Sequence, residues 1–328
     1  MSAISLFQEA IKLDPNFAIA YLALGDSYWN VGELELASDN LQKAYELRGR
    51  VSEIERLTIE AEYYDTGIGD LQKAQRAMEV FVRIYPRDAG MHNNLGVDYE
   101  ILGQYDKAVA EYREAVRLNL TPISYGSLAR CYIKLNRPKE SEATIREAQA
   151  KKIDAIGLHF DLYPLAFLQN DATGMTQQAD WAAGKPGAED RLLYLEADTA
   201  AYFGRLRKSR EFSRQAVASA ERAEEKERTA SYEADTAVRE ALFGNAAEAR
   251  QWAKSALVPS MGVRAQYSAA LTMALIGNAA RAQALADDLA QRFPSDTVVQ
   301  FMYLPTLHAQ LALTRNDPSK AIDLLSIE

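Results

Sequence analysis

Glycine or asparagine recurs along the chain at Gly32, Gly69, Gly103, Asn136, Asn170, Gly204, Gly244, Gly277 and Asn316, with successive spacings of 37, 34, 33, 34, 34, 40, 33 and 39 residues. Both residue types accept the left-handed backbone that closes one helix before the next begins. A bend at this interval predicts a row of helical hairpins, each resting on its neighbours, rather than a globule around one core. Five residues after the bends stand Ala37, Ala74, Ala108, Ser141, Met175, Ser209, Ala249, Ala282 and Ala321. Seven residues before them stand Gly25, Glu62, Gly96, Ala129, Tyr163, Ala197, Ala237, Ala270 and Ala309, small in seven of nine cases. Small side chains at these two positions are expected to face each other across each hairpin. Twelve residues after the bends, Ala44, Phe81, Ala115, Ala148, Ala182, Ala216, Ala256 and Leu289 are all apolar and predict the contact with the next hairpin.

Between these landmarks apolar residues recur at helical spacing, as in Leu95, Tyr99 and Leu102 before one bend and Val109, Tyr112 and Val116 after it. Ser52 with Glu55 predicts a capping box, and Pro15, Pro86 and Pro294 sit where hairpins end. Pro164 and Pro305 fall inside expected first helices and predict kinks. The two longest spacings imply helices extended by about a turn.

The chain carries a formal charge of -9, which opposes binding to phosphate backbones. Nucleic acid and anionic membranes are therefore not expected partners. Cys131 is the only cysteine, so no intrachain disulfide is available, and its place beside Tyr132 on an inner helix face reads as a buried, inert thiol. Met1 to Ser5 lack the basic and apolar segments of a secretion signal, and no run of about 18 apolar residues follows. The chain reads as a soluble domain that does not itself insert into a membrane.

Chemistry is not expected either. His92, His159 and His308 fall in different hairpins without a second ligand at metal spacing, so neither metal nor cofactor is expected. Gly184-Lys185-Pro186-Gly187 lacks the remainder of a phosphate loop and reads as a turn between hairpins. Acidic residues look scattered along helical surfaces, Glu221 to Glu227 reads as a solvated helix, and no carboxylate pair stands out. The expectation is a non-enzymatic chain.

The residues resemble the tetratricopeptide family, whose hairpin carries Leu-Gly, then Tyr, Ala, an aromatic, Ala and a closing Pro. Leu24-Gly25, Tyr28, Ala37, Leu41 and Ala44 carry the resemblance, and Leu95-Gly96, Tyr99, Ala108, Tyr112 and Ala115 carry it more fully. The resemblance implies an all-α fold, an α-solenoid forming a right-handed superhelix of about nine antiparallel hairpins plus a partial N-terminal helix. Residues 1–16, with Ala3, Phe7, Ala10 and Pro15, look like the second helix of a truncated repeat; residues 17–150 match well; residues 151–328 look like degenerate repeats continuous with them. The last repeat stops at Glu328, partway along its second helix, so both ends look cut from a longer protein.

The chain also resembles the C-terminal arrays of bacterial, notably acidobacterial, eukaryotic-like serine/threonine kinases. Tyr85-Pro86-Arg87-Asp88, His92-Asn93-Asn94-Leu95-Gly96, Trp181-Ala182-Ala183-Gly184-Lys185-Pro186-Gly187 and Glu196-Ala197-Asp198-Thr199 carry that resemblance, together with Phe293-Pro294 and Asp296 to Phe301. It implies a parent in which a kinase and one membrane span precede an extracytoplasmic array; similar arrays also follow winged-helix regulators, which would place it in the cytoplasm. His-Arg-Asp, Asp-Phe-Gly and a glycine-rich phosphate loop are missing from this chain.

First helices of such an array line a concave groove. Positions 13, 10, 6 and 3 before each bend share one side of a helix. The candidate partner-binding residues are Trp29, Tyr63, Asn93, Arg130, Phe160, Tyr194, Asp198 and Tyr267. The aromatics among them either anchor a peptide or protein partner or pack between hairpins as core. Leu22 and Asp26 occupy the places where the family's chaperone-tail clamp would begin, so capture of chaperone tails is not expected. Self-association through apolar faces at the ends is the competing reading.

Overall fold

The structure is a computed structural model that describes residues 3–153, 156–259 and 262–326. All nine bends have positive φ, from 55° at Asn136 to 80° at Gly277. Helices flank every one of them, and the described residues contain no strand. Two compact units divide the chain, Met1–Gln178 and Ala179–Glu328, with the division inside the helix Ala172–Ala182.

In the first unit the helix Ala3–Leu13 rests on the hairpin Ala18–Asn30 and Leu34–Leu47 without burying any residue of its own. The next hairpin begins at Ser52, whose side chain accepts from the Glu55 amide while the Glu55 carboxylate accepts from the Ser52 amide, completing the expected capping box. Its first helix, Glu53–Glu62, runs into a π-helical segment, Tyr63–Gly67, before the second helix Leu71–Ile84. That segment accommodates the 37-residue spacing: a wider turn absorbs extra residues without ending the helix. The hairpins Ala89–Ile101 with Tyr105–Leu118 and Pro122–Lys134 with Pro138–Ala150 follow, and then Ile156–Leu168. Pro164 lies inside this last helix without breaking it.

The second unit holds Glu189–Tyr202 with Leu206–Arg222, Lys226–Leu242 with Ala246–Ala256, Val263–Leu275 with Ala279–Arg292, and Leu304–Thr314 with Pro318–Leu325. Two 17-residue helices, Leu206–Arg222 and Lys226–Leu242, fill the 40-residue spacing from Gly204 to Gly244. A second π-helical segment, Val299–Tyr303, runs without a break into Leu304–Thr314, so Pro305 lies inside a continuous helix, as expected. The wider π turn just before the proline accommodates its missing amide donor. The stretch from Glu221 to Glu227 is not one solvated helix: Glu224 adopts φ 57° between two helices. Gly184 and Gly187, at φ 70° and 76°, form the expected turn between hairpins. The expected end of the last helix at Glu328 lies outside the described residues.

Packing follows the small-residue register. Ala37, Ala74, Ala108, Ser141, Ser209, Ala249, Ala282 and Ala321 are all buried, as are Ala44, Phe81, Ala115, Ala148, Ala182, Ala216, Ala256 and Leu289. At Gly96 a β-carbon would stand 2.5 Å from Cε1 of Tyr112, and at Gly25 it would stand 2.8 Å from Cγ of Leu41. Both glycines are thus required by the approach of the opposite helix. In Gly96→Ala the Tyr112 ring has to move, and the expected loss of stability is about 1–3 kcal/mol. Urea or thermal unfolding reads it directly; an unchanged midpoint would refute this account of the hairpin contact.

Candidate functional site

The eight groove candidates fall into two sets. Trp29, Tyr63, Asn93, Arg130 and Phe160 belong to the first unit, and Tyr194, Asp198 and Tyr267 to the second. Three of the aromatics have rings of their own chain as neighbours: Tyr63 stacks on Tyr45 with centroids 4.1 Å apart, Tyr194 on Tyr232 at 4.9 Å, and Tyr267 on Tyr303 at 3.9 Å. One face of each of these half-buried rings is thus covered by a ring of the same chain. Phe160 is half-buried, whereas Trp29 remains 49% exposed. Arg130 is half-exposed, with a guanidinium nitrogen 4.0 Å from an Asp161 oxygen, while the Oδ1 atom of Asn93 is buried without a hydrogen bond. Asp198 pairs with Arg239.

What the sequence did not reveal is a gathering of carboxylates in the first unit, where Asp26, Glu62, Asp65 and Asp98 come together from three successive first helices or their extensions. The amide of Asn94 donates to Glu62 Oε1 at 3.4 Å, and Asp98 lies one helical turn beyond Asn94. Asp98 is fully buried, and neither of its carboxylate oxygens has a hydrogen-bond partner. Asp26, Glu62 and Asp65 are half-buried. No lysine, arginine or histidine among the described residues forms an ion pair with any of the four. The one visible trace is Glu62 itself, a long acid in a slot that takes a small residue in seven of the nine hairpins.

Electrostatics follow from burial and from crowding of like charge. Desolvation, with the Asp26 and Asp65 charges added, pushes Glu62 up to about 8. Burial pushes Asp26 up to about 6. Asp98 is also raised, first by burial and then by Asp65 and Glu62, and Asp65 is raised by burial. Deeper along the same unit, burial raises Asp161 to about 7 although Arg130 opposes the shift.

Three acids of the second unit have cationic partners. Glu240 receives two hydrogen bonds from Arg210, at 2.6 and 2.7 Å. Asp190 accepts from Tyr232 at 3.0 Å and has Arg228 at 3.3 Å. Asp235 accepts from Tyr194 at 2.9 Å and from Arg264 at 2.8 Å. Here the chain supplies the compensating cations itself.

The polar residues singled out by type have structural surroundings. His92 is buried, its Nδ1 2.6 Å from Glu111 Oε2, and His159 Nδ1 is 2.8 Å from Gln178 Oε1. Burial pushes the Cys131 thiol up to about 11, and its Sγ lies 3.7 Å from the Tyr105 carbonyl oxygen. Among the described residues no three His, Cys, Asp or Glu side chains converge in a metal-binding group. No described helix is long and apolar enough to cross a membrane.

Hairpins stacked through small residues, with large side chains displayed on the first helices, define a helical-repeat protein, a class that presents surfaces to other macromolecules. Family models described as tetratricopeptide repeat match residues 18–50, 89–121 and 123–150, and one described as TPR repeat matches residues 2–32, so the repeats in those stretches are similar to tetratricopeptide repeats. Such repeats generally mediate protein–protein interactions. Cell division cycle protein 27 homolog A of Arabidopsis thaliana is 39% identical over 57 residues, 17% of this chain and 8% of that protein. This chain thus spans a small fraction of that relative's length. Among solved structures, yeast Tom70 shares the fold with a TM-score of 0.54 at 14% identity, covering 98% of this chain and 79% of that one. A thermophilic TPR protein of Thermus thermophilus matches at 24% identity and TM-score 0.42, covering 51% of this chain and 89% of its own.

The raised carboxylates have a consequence for stability. Above the ordinary carboxylate range the unfolded chain has released protons that folded Glu62, Asp26 and Asp161 still hold, so these groups destabilise the fold progressively from about pH 4 to about pH 8. The melting temperature is expected to fall across that interval at constant ionic strength. An Asp98→Asn, Glu62→Gln variant should flatten the fall. A wild-type melting temperature that rises between about pH 5 and pH 8 would contradict the assignment.

Proposed function

We propose that this chain is a protein-interaction module that holds a peptide or protein partner along the first helices of its repeats. The observation that carries this reading is a row of exposed large side chains on the first helices of the first unit. Trp29 is 49% exposed, Val97 37% and Ile123 70%, and half-exposed Arg130 joins them. They lie 3, 6, 13 and 6 residues before their bends, offsets that share one side of a helix. Exposed aromatic and aliphatic side chains beside an arginine are the chemistry that interface anchors use. Phe160 extends the candidate surface, while Tyr63, Tyr194 and Tyr267 contribute by fixing helix positions.

The parent we favour is a serine/threonine kinase of the acidobacterial type, with the array outside the cytoplasm; the support is the set of sequence words from Tyr85 to Asp88, His92 to Gly96 and Trp181 to Gly187. A winged-helix regulator is the alternative parent. Self-association is the alternative function, favoured by the exposed Leu6 and Leu13 on the first helix and Ile322 and Leu325 on the last.

Quantitative pull-down mass spectrometry with the full chain tests the interaction. A Trp29→Ser, Ile123→Ser variant with unchanged circular dichroism is expected to lose its captured partners at least tenfold, whereas equal recovery rejects the surface. Light scattering tests the alternative: a mass that grows with concentration and collapses in a Leu13→Ser, Ile322→Ser variant would establish self-association instead.

A further inference from the structure

We infer that the carboxylate gathering of the first unit is a socket for a cationic side chain, the arginine or lysine of a partner segment seated on the first helices. The inference rests on the interaction reading and adds the chemistry of the partner. Asp98 is fully buried with both oxygens unpartnered, half-buried Glu62 and Asp65 act on it, and half-buried Asp26 acts on Glu62. A buried carboxylate without hydrogen bonds is costly, and folded proteins rarely keep one without a compensating group.

The second unit shows how this chain meets that cost when it supplies the cation itself, through Arg210 on Glu240, Arg228 on Asp190 and Arg264 on Asp235. Within the first unit Lys134 answers Glu100 in the same way, at 2.5 Å. In the four-acid group acids alone act on one another: the charged neighbours that shift Glu62 are Asp26 and Asp65, and those that shift Asp98 are Asp65 and Glu62. The second helices behind them, Leu34–Leu47 and Leu71–Ile84, bring no cation to the group. A π-helical segment carries Tyr63 and Asp65 at this point, and such segments favour functional positions.

Charge complementarity names the occupant. A guanidinium offers five donors in a planar fork that several carboxylates share, and it removes their mutual repulsion on arrival. Because the acids hold protons when the socket is empty, seating the cation expels them to solvent, so affinity should rise with pH between about 6 and 8.

The test uses the full chain and a fluorescein-labelled octapeptide of alternating arginine and alanine, with its glutamate–alanine counterpart as control, read by anisotropy and by calorimetry in buffers of different ionisation heat. Expected are binding of the arginine peptide alone, proton release at pH 6.5, and at least tenfold weaker binding in Asp98→Asn and in the milder Asp26→Asn. The Asp98→Asn variant should also melt higher than the parent chain, which separates lost recognition from lost fold. Glu211→Gln, which removes one carboxylate from an exposed site as each test variant removes one from the group, should bind as the parent does. Equal loss in that control, equal binding of the glutamate peptide, or no binding of the arginine peptide overturns the socket. If the socket fails while capture still depends on Trp29 and Ile123, the interaction reading stands; if both fail, that reading falls as well.

Discussion

Two helices can lie close against each other where side chains at the contact are small, and seven of the nine hairpins place a small residue seven positions before the bend. Gly25 under Leu41 and Gly96 under the Tyr112 ring are the sharpest cases, because a single added carbon would overlap the opposite helix. Elsewhere alanine and serine serve the same contact, as at Ala129 with Ser141 and Ala237 with Ala249, all buried. Hairpin contacts of this kind are local in sequence, so each repeat depends on its neighbours rather than on a distant part of the chain.

Buried charge marks the two units differently. Arginines reach across hairpins to the acids of the second unit, and tyrosine hydroxyls complete several of those pairs. The first unit stacks three tyrosines, Tyr45, Tyr63 and Tyr64, beside a group of acids that lacks such partners. Ion pairing inside a protein offsets desolvation only when both charges are present. Asp98, buried with neither oxygen hydrogen-bonded, is thus a cost to the stability of the first unit.

The fold was legible because bends, small residues and apolar spacing are local signals. Each of the nine bends sits at the glycine or asparagine that the spacing picked out, since left-handed backbone is a property of one residue. The site was less legible. Exposure of Trp29 and the stacking of Tyr63, Tyr194 and Tyr267 depend on which ring arrives from another helix, and one helix's sequence does not contain that information. The carboxylates escaped notice for the same reason: Asp26, Glu62 and Asp98 are over thirty residues apart along the chain and meet only through hairpin stacking. Glu221 to Glu227 misled because alternating charge is equally at home on a helix and across a helix–turn–helix junction.

The π-helical segments at Tyr63–Gly67 and Val299–Tyr303 show how this architecture accepts changes in length. Widening one turn lets a first helix take in additional residues while the bend and the small-residue contact after it stay in step. Lengthening a repeat in this way alters which side chains look inward over one turn and leaves the neighbouring hairpins undisturbed. Such an array can thus acquire new inward-facing chemistry by small insertions, without redesigning the scaffold that presents it.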